Sequence, residues 1–361
     1  MKFIISGGGT GGHIYPAIAI AEALKRKLPN AEFLFVGAQG RMEMEKIPKA
    51  GYKIEGLWIS GFQRKQFWKN FSLPFKIIAS FFKARKIIKR FKPDLAIGVG
   101  GYASAMAVRA AAGMGIPTLI HEQNSYAGKT NKMLSGFAKK ICVAYDGMDR
   151  FFPKEKIIHT GNPIRQDILE LNDKRTEAFK HYGLDPNLPT LLVIGGSLGA
   201  RTLNESIAKN LAAFEQAGVQ VFWQAGKFYI EEYKKFATLH KNIKITAFID
   251  RMDLAYALAD VVISRAGALS ISELCLCGKP SILVPSPNVA EDHQTANAMA
   301  LVNKQAALLV KDVEAHEKLC PSALGLLQSE SEQKMLSRSI KQLGIADAAD
   351  RIAEEVLQLV R

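Results

Sequence analysis

Two short apolar runs in this chain end in glycine-rich turns, and that pairing constrains the fold more than any other feature of its 361 residues. KFIIS leads into Gly7–Gly12 (GGGTGG) and TLLVI leads into Gly195–Ala200 (GGSLGA). Glycine allows positive φ and lets a ligand approach the backbone without a Cβ in the way. A helix that follows offers unpaired N–H groups and a positive dipole end, so each turn is an anion site in outline. After the first turn, a helix from about Tyr15 to Leu28 is followed by EFLFVG, DLAIGVG, TLIH and KKICVA. After the second come VQVFWQ, IKITAF, DVVIS, PSILV and AALLV. Strands alternating with amphipathic segments predict parallel sheets covered on both faces. The restart after Gly161-Asn162-Pro163 predicts two such domains, residues 1–163 and 164–341, with a last segment, 342–361, whose helix could pack back on the first domain.

Charge divides the same way. Met1–Arg165 carries 27 Lys and Arg against 10 Asp and Glu, a net +17, whereas the remainder is −3. The first half is therefore expected to meet something anionic. From Arg64 to Lys92 there are ten basic residues and no acidic one, interleaved with Trp68, Phe71, Phe75, Phe81 and Phe82. With Lys83, Arg85, Lys86, Lys89 and Arg90, this stretch suits an anionic membrane surface. Its plainer reading is an amphipathic helix with one face in the core. No nucleic-acid motif accompanies the charge.

Cys142, Cys275, Cys277 and Cys320 show no CxxC spacing and read as reduced thiols. No run approaches the ~20 apolar residues of a spanning helix, so a peripheral, cytoplasmic protein is expected.

Gly7, Gly9 and Gly12 fit the dinucleotide pattern GxGxxG, but that pattern wants an acid at the end of the second strand. Here Val36 is followed by Gly37, Ala38 and Gln39, which argues against a nicotinamide-dependent oxidoreductase. His13 stands where a Walker loop needs Lys. In the second half, DVVISRAGALSISE leads from a strand into a helix whose first N–H groups, at Ala268, Leu269 and Ser270, could hold a pyrophosphate. Glu273 could then accept both hydroxyls of a ribose; the alternative is an ordinary early-helix carboxylate.

The ordered set GGGTGGHIYPA, GVGGYAS, HEQN, GNPIR, GGSLGA, SRAGALSISE and EDHQTANA resembles the MurG family of peptidoglycan N-acetylglucosaminyltransferases, glycosyltransferase family 28, over nearly the whole chain. The resemblance implies the GT-B fold, two doubly wound Rossmann-like α/β domains facing a central cleft. It implies transfer of N-acetylglucosamine from UDP-N-acetylglucosamine to the muramoyl 4-hydroxyl of lipid I, forming lipid II at the cytoplasmic face of the bacterial inner membrane. Other cell-wall enzymes are candidate partners. Donor contacts are implied for Thr10, Gly11, Gly12, Asn124, Arg165, Ser197, Phe248, Ile249, Ala268, Leu269, Ser270, Ile271, Ser272, Glu273 and Gln294. Gly8, Gly9, Gly100, Gly101, Tyr102 and Ser104 would hold the acceptor diphosphate. Leu198 and His293 stand where the family often carries Gln, and neither is assigned a ligand role.

Inversion in one step needs a base for the acceptor hydroxyl. His13 is the candidate, because an imidazole is largely neutral at pH 7 and can take that proton; its plainer role is to orient the turn. His121 reads as structural. The sequence has no DxD, so helix N-termini and backbone N–H groups would stabilise the leaving UDP without a metal or other cofactor. A protein that binds a UDP-sugar without turning it over is the remaining alternative.

Overall fold

A computed structural model of the chain describes residues 1–61, 71–164, 168, 171 and 173–360. The described residues divide into two units, Met1–Ile164 with Asp347–Arg361, and Arg165–Ala346. The second boundary falls after Ala346 rather than after residue 341.

The first unit holds a seven-stranded parallel sheet: β1 (Lys2–Ser6), β2 (Glu32–Ala38), β3 (Lys53–Leu57), β4 (Leu95–Gly98), β5 (Thr118–Glu122), β6 (Lys140–Val143) and β7 (Ile157–His159), in the order β3-β2-β1-β4-β5-β6-β7. Strand β1 shows why both faces must be covered. Phe3 and Ile5 point to one side, where they pack with Ile20 and Leu24 of the helix Gly11–Lys27 and with Ile352 and Val356 of the helix Ala348–Val360. Ile4 points to the other, against Ala107 of the helix Tyr102–Ala112 and Ile87 and Ile88 of the helix Leu73–Phe91. Consecutive apolar residues, Phe3, Ile4 and Ile5, are the mark of a strand buried on both faces. The final helix is also pinned at its rim by Arg26–Asp350 and Lys27–Glu354, each at 3.0 Å, and by Lys140–Glu355.

The second unit repeats the plan with β8 (Thr190–Ile194), β9 (Gln220–Gln224), β10 (Ile243–Thr246), β11 (Val261–Ser264), β12 (Ser281–Leu283) and β13 (Leu308–Leu309), ordered β10-β9-β8-β11-β12-β13. Its central strands bury Leu191 and Val193 against Leu203 and Ile207 of the helix Arg201–Lys209 and Leu319 and Ala323 of the helix Ala315–Gln328.

In both sheets the chain leaves the first strand to one side and returns on the other. The neighbours β1 and β4, and β8 and β11, therefore flank a topological switch point, where loops part at the carboxyl ends of the strands and leave a crevice. No helix among the described residues is long and apolar enough to cross a membrane.

Candidate active site

Each glycine turn lies at a switch point. In the first unit, Gly7–Thr10 follow β1, and Val99–Gly101 follow β4 beside them. The helix begins at Gly11, four residues before the expected Tyr15, so His13 sits in its first turn. A first turn has no intrahelical acceptors for its N–H groups, and glycine is tolerated there.

His13 is half-buried, and its Nδ1 lies 2.9 Å from the Gly8 carbonyl oxygen. A carbonyl only accepts, so Nδ1 carries the proton and the neutral ring keeps its lone pair on Nε2. Gly100 closes against the ring: its φ is +95°, and a Cβ there would lie 2.8 Å from His13 Nε2. Gly101, at φ +88°, packs on Gly8, where a Cβ would stand 2.6 Å from the Gly8 carbonyl oxygen.

The loop rests on a residue the sequence did not single out. Glu43 is fully buried; its Oε2 accepts the Gly9 N–H at 2.9 Å and its Oε1 accepts the Ala38 N–H at 3.0 Å. The carboxylate fills the space a side chain at Gly8 would need, with a Cβ there only 2.1 Å from Oε1. The Gly9 N–H is thus engaged internally, whereas Thr10, Gly11 and Gly12 line the accessible start of the helix. Gly8 and Gly100 are buried. Tyr102 is exposed, but Ser104 is fully buried with its hydroxyl against Gly98.

HEQN lies at the end of β5. His121 Nε2 donates to the Gly161 carbonyl at 3.0 Å and its Nδ1 accepts from Gln123 Nε2 at 2.9 Å. Complete burial holds this imidazole down to about 4, with the nearby His13 adding to the effect against the Gly161 bond. Both ring nitrogens are occupied, so His121 is a structural element. Glu122 accepts from Asn124, Gly128 and Asn131, which fixes the half-buried Asn124 at the sheet edge.

At the second switch point the turn Gly195–Ala200 and the segment Arg265–Gly267 border a cavity of about 590 Å³. Ser270 and Gln294, both expected, line it; Gln294 Oε1 accepts the Ser286 N–H at 2.9 Å. Ser197 is exposed on the turn. The helix Ala268–Cys277 starts at Gly267 with its first hydrogen bond from Ile271, so the N–H groups of Ala268, Leu269 and Ser270 precede the ladder. Ile271 is buried, and Ser272 donates back to Ala268. Glu273 is half-buried and accepts from the Tyr256 hydroxyl at 2.9 Å. Phe248 is exposed beside the buried Ile249.

The cavity also contains Arg201, Arg265 and Asp312, which the sequence reading left out. Arg265 pairs with Asp312 and donates to the Val284 carbonyl at 3.1 Å. Its place directly after β11, inside SRAGA, was the signal for it.

On the helix Leu73–Phe91, Phe75, Ile78 and Phe82 recur at helical spacing and are 70, 57 and 65% exposed, with Phe71 exposed just before it; Phe81 is partly covered. Lys83 donates to the Gly56 carbonyl at 2.7 Å and Arg90 pairs with Glu55, whereas Arg85, Lys86 and Lys89 face solvent. Trp68 and Arg165 lie outside the described residues.

Comparison with known proteins agrees with this arrangement. Residues 3–143 match the glycosyltransferase family 28 N-terminal domain and residues 190–352 the family 28 C-terminal domain. The chain is 58% identical over 359 residues to the UDP-N-acetylglucosamine–N-acetylmuramyl-(pentapeptide) pyrophosphoryl-undecaprenol N-acetylglucosamine transferase of Cytophaga hutchinsonii, covering 99% of this chain and 97% of that one. It is 54% identical over 365 residues to the enzyme of that name from Bacteroides fragilis, covering 100% and 96%. The crystal structure of Acinetobacter baumannii MurG superposes with a TM-score of 0.79 at 29% identity, over 99% of each chain. With its two parallel sheets, its paired glycine turns and these matches, the chain belongs to glycosyltransferase family 28.

Proposed function

We propose that this protein transfers N-acetylglucosamine from UDP-N-acetylglucosamine to the muramoyl 4-hydroxyl of undecaprenyl-diphospho-muramoylpentapeptide, lipid I, and so forms lipid II. The observation that carries the mechanism is His13, whose Nδ1–H is held by the Gly8 carbonyl so that Nε2 is the proton acceptor. The acceptor hydroxyl oxygen attacks the anomeric carbon as the bond to the UDP oxygen breaks. Its proton passes to Nε2, and UDP leaves with the electron pair. One displacement inverts the configuration and needs no covalent intermediate.

The charge that develops on UDP is met by the N–H groups of Ala268, Leu269 and Ser270 and by the dipole of the helix they begin. Glu273 takes the ribose hydroxyls, with Ser197, Gln294, Phe248 and the Ile249 backbone completing the donor contacts. Asn124 and the helix start at Thr10–Gly12 are further donor contacts. Gly8, Gly100, Gly101 and Tyr102 form the acceptor-diphosphate turn. The protein works as a peripheral enzyme at the cytoplasmic face of the cell membrane, where Phe75, Ile78 and Phe82 enter the interface and Arg85, Lys86 and Lys89 meet anionic headgroups.

The test is product formation from UDP-N-acetylglucosamine and a soluble lipid I analogue in excess EDTA, with disaccharide and UDP followed by mass. Both products in EDTA are expected. Rescue only by Mg²⁺ would remove the leaving-group argument, and no product under either condition would remove the activity.

A further inference from the structure

The hydrogen bonds around the first glycine turn share one peptide group. The Gly8 carbonyl that accepts from His13 Nδ1 at 2.9 Å and the Gly9 N–H that donates to Glu43 Oε2 at 2.9 Å belong to the same amide. Carboxylate, peptide and imidazole therefore form a chain in which every donor and acceptor points the same way.

We propose that Glu43 is a positioning residue for His13 and acts on it through the Gly8–Gly9 peptide, an inference that rests on His13 being the base. A carboxylate at the N–H end draws charge through the amide toward its oxygen, and bonds aligned head to tail strengthen one another. The Gly8 carbonyl becomes a better acceptor, which selects the Nδ1–H tautomer and fixes the plane of the ring. When Nε2 takes the hydroxyl proton, the imidazolium finds a buried negative charge one peptide away. The arrangement is that of a carboxylate–histidine pair with an amide set between its members.

Three further observations fit a built device. Glu43 is completely buried, and no cation pairs with it among the described residues. Its second oxygen is anchored to the Ala38 N–H at the end of β2, so the carboxylate is held from the sheet side. Gly8 and Gly37 leave it room, since a Cβ at Gly37 would stand 2.6 Å from Glu43 Cγ, and Gly101 packs on the Gly8 carbonyl and limits rotation of the shared peptide.

The experiment uses the full chain labelled with ¹⁵N-histidine, with His13 assigned by loss of its signals in His13→Ala. Long-range ¹H–¹⁵N correlation at a pH where the ring is neutral reads the tautomer. The wild type is expected to show Nδ1–H alone. In Glu43→Gln, one amide oxygen serves Ala38 or Gly9 but not both, and the Nε2–H form is expected to appear. In that variant kcat should fall about 10- to 100-fold, the usual cost of losing an orienting partner, with KM for UDP-N-acetylglucosamine unchanged. In a His13→Ala background the same change should cost nothing further. An Nε2–H tautomer in the wild type would overturn the proposal even if Glu43→Gln failed to fold. So would a variant that kept both tautomer and kcat, or an equal loss in the His13→Ala background. Full turnover by His13→Ala would instead remove the base assignment, and the tautomer would still decide the Glu43 link.

Discussion

The two units share a strand order around their central switch points yet differ in what stands beside the glycine turn. In the first, Gly9 at φ +87° is open, but the space beside three other glycines is filled by protein: Glu43 beneath Gly8, His13 against Gly100, and the Gly8 carbonyl against Gly101. In the second, Gly199 is packed as closely, since a Cβ there would stand 2.3 Å from the Ala225 carbonyl oxygen, but Gly196 at φ +83° faces open space, Gly267 after β11 has nothing nearer than 3.8 Å, and both segments border a cavity of about 590 Å³. Close packing around Gly8 and Gly100 fixes a reactive side chain, and the space beside Gly196 and Gly267 leaves room for an extended ligand. Topology alone provides only the crevice; what the loops do with it depends on side chains that arrive from elsewhere in the chain.

The contrast has a pH signature. His121 titrates at about 4 when folded, against roughly 6.5 for an unperturbed histidine. Between those values the unfolded chain binds a proton that the folded chain does not. Stability is therefore complete above the unfolded value and is lost as pH falls toward the folded one, in total on the order of 3 kcal/mol. In the second unit, hydrogen bonds from Arg251 and then Lys174 hold the Asp253 carboxyl well below the usual carboxylate range. Its contribution is lost only below its ordinary value of 3.8. Limited proteolysis from pH 7 to 4.5 should make its first new cuts within residues 1–164. First cuts within the second unit would break the comparison.

Glycine substitutions sharpen it. Gly8→Ala drives a methyl into the Glu43 carboxylate and should cost about 1–3 kcal/mol, read as a lowered melting temperature. Gly267→Ala, at φ −68° with space around it, should be neutral or slightly stabilising. Equal losses would show that Gly8 and Gly267 are not differently packed.

A smaller effect is expected at Tyr256→Phe. Removing the hydroxyl that holds Glu273 costs about 1 kcal/mol of interaction, and KM for the donor should rise several-fold with kcat unchanged. Smallest in stability, Phe75→Ser with Phe82→Ser should leave the melting temperature nearly unchanged, since both rings are exposed, while weakening sedimentation with anionic vesicles. Unaltered sedimentation would remove the proposed membrane face.

Much of the fold was legible because its central strands carry unbroken apolar runs of three or four residues. KFIIS, TLLVI and DVVIS announce buried parallel strands, and the glycines after them announce the turns. The strands the sequence reading lacked are at the sheet edge: β3 (KIEGL) and β7 (IIH) are short, half-exposed and mixed in character. The early start of the first helix was hidden by Gly11 and Gly12, poor helix formers in general but tolerated in a first turn. In the site, His13, Ser270 and Glu273 stand out because strand, turn and helix signals adjoin them. Glu43 does not, since RMEMEK reads as surface charge and its partners at Gly9 and Ala38 come from other elements. Arg265 and Asp312, 47 residues apart, are joined only by folding.

The separation of the reactive side chain beside the first turn from donor binding at the second is tested most directly by His13→Ala, assayed for transfer and titrated calorimetrically with UDP-N-acetylglucosamine. Donor binding is expected to stay close to wild type while turnover falls at least about 100-fold, the scale of losing a general base. Undiminished turnover with intact donor binding would contradict it.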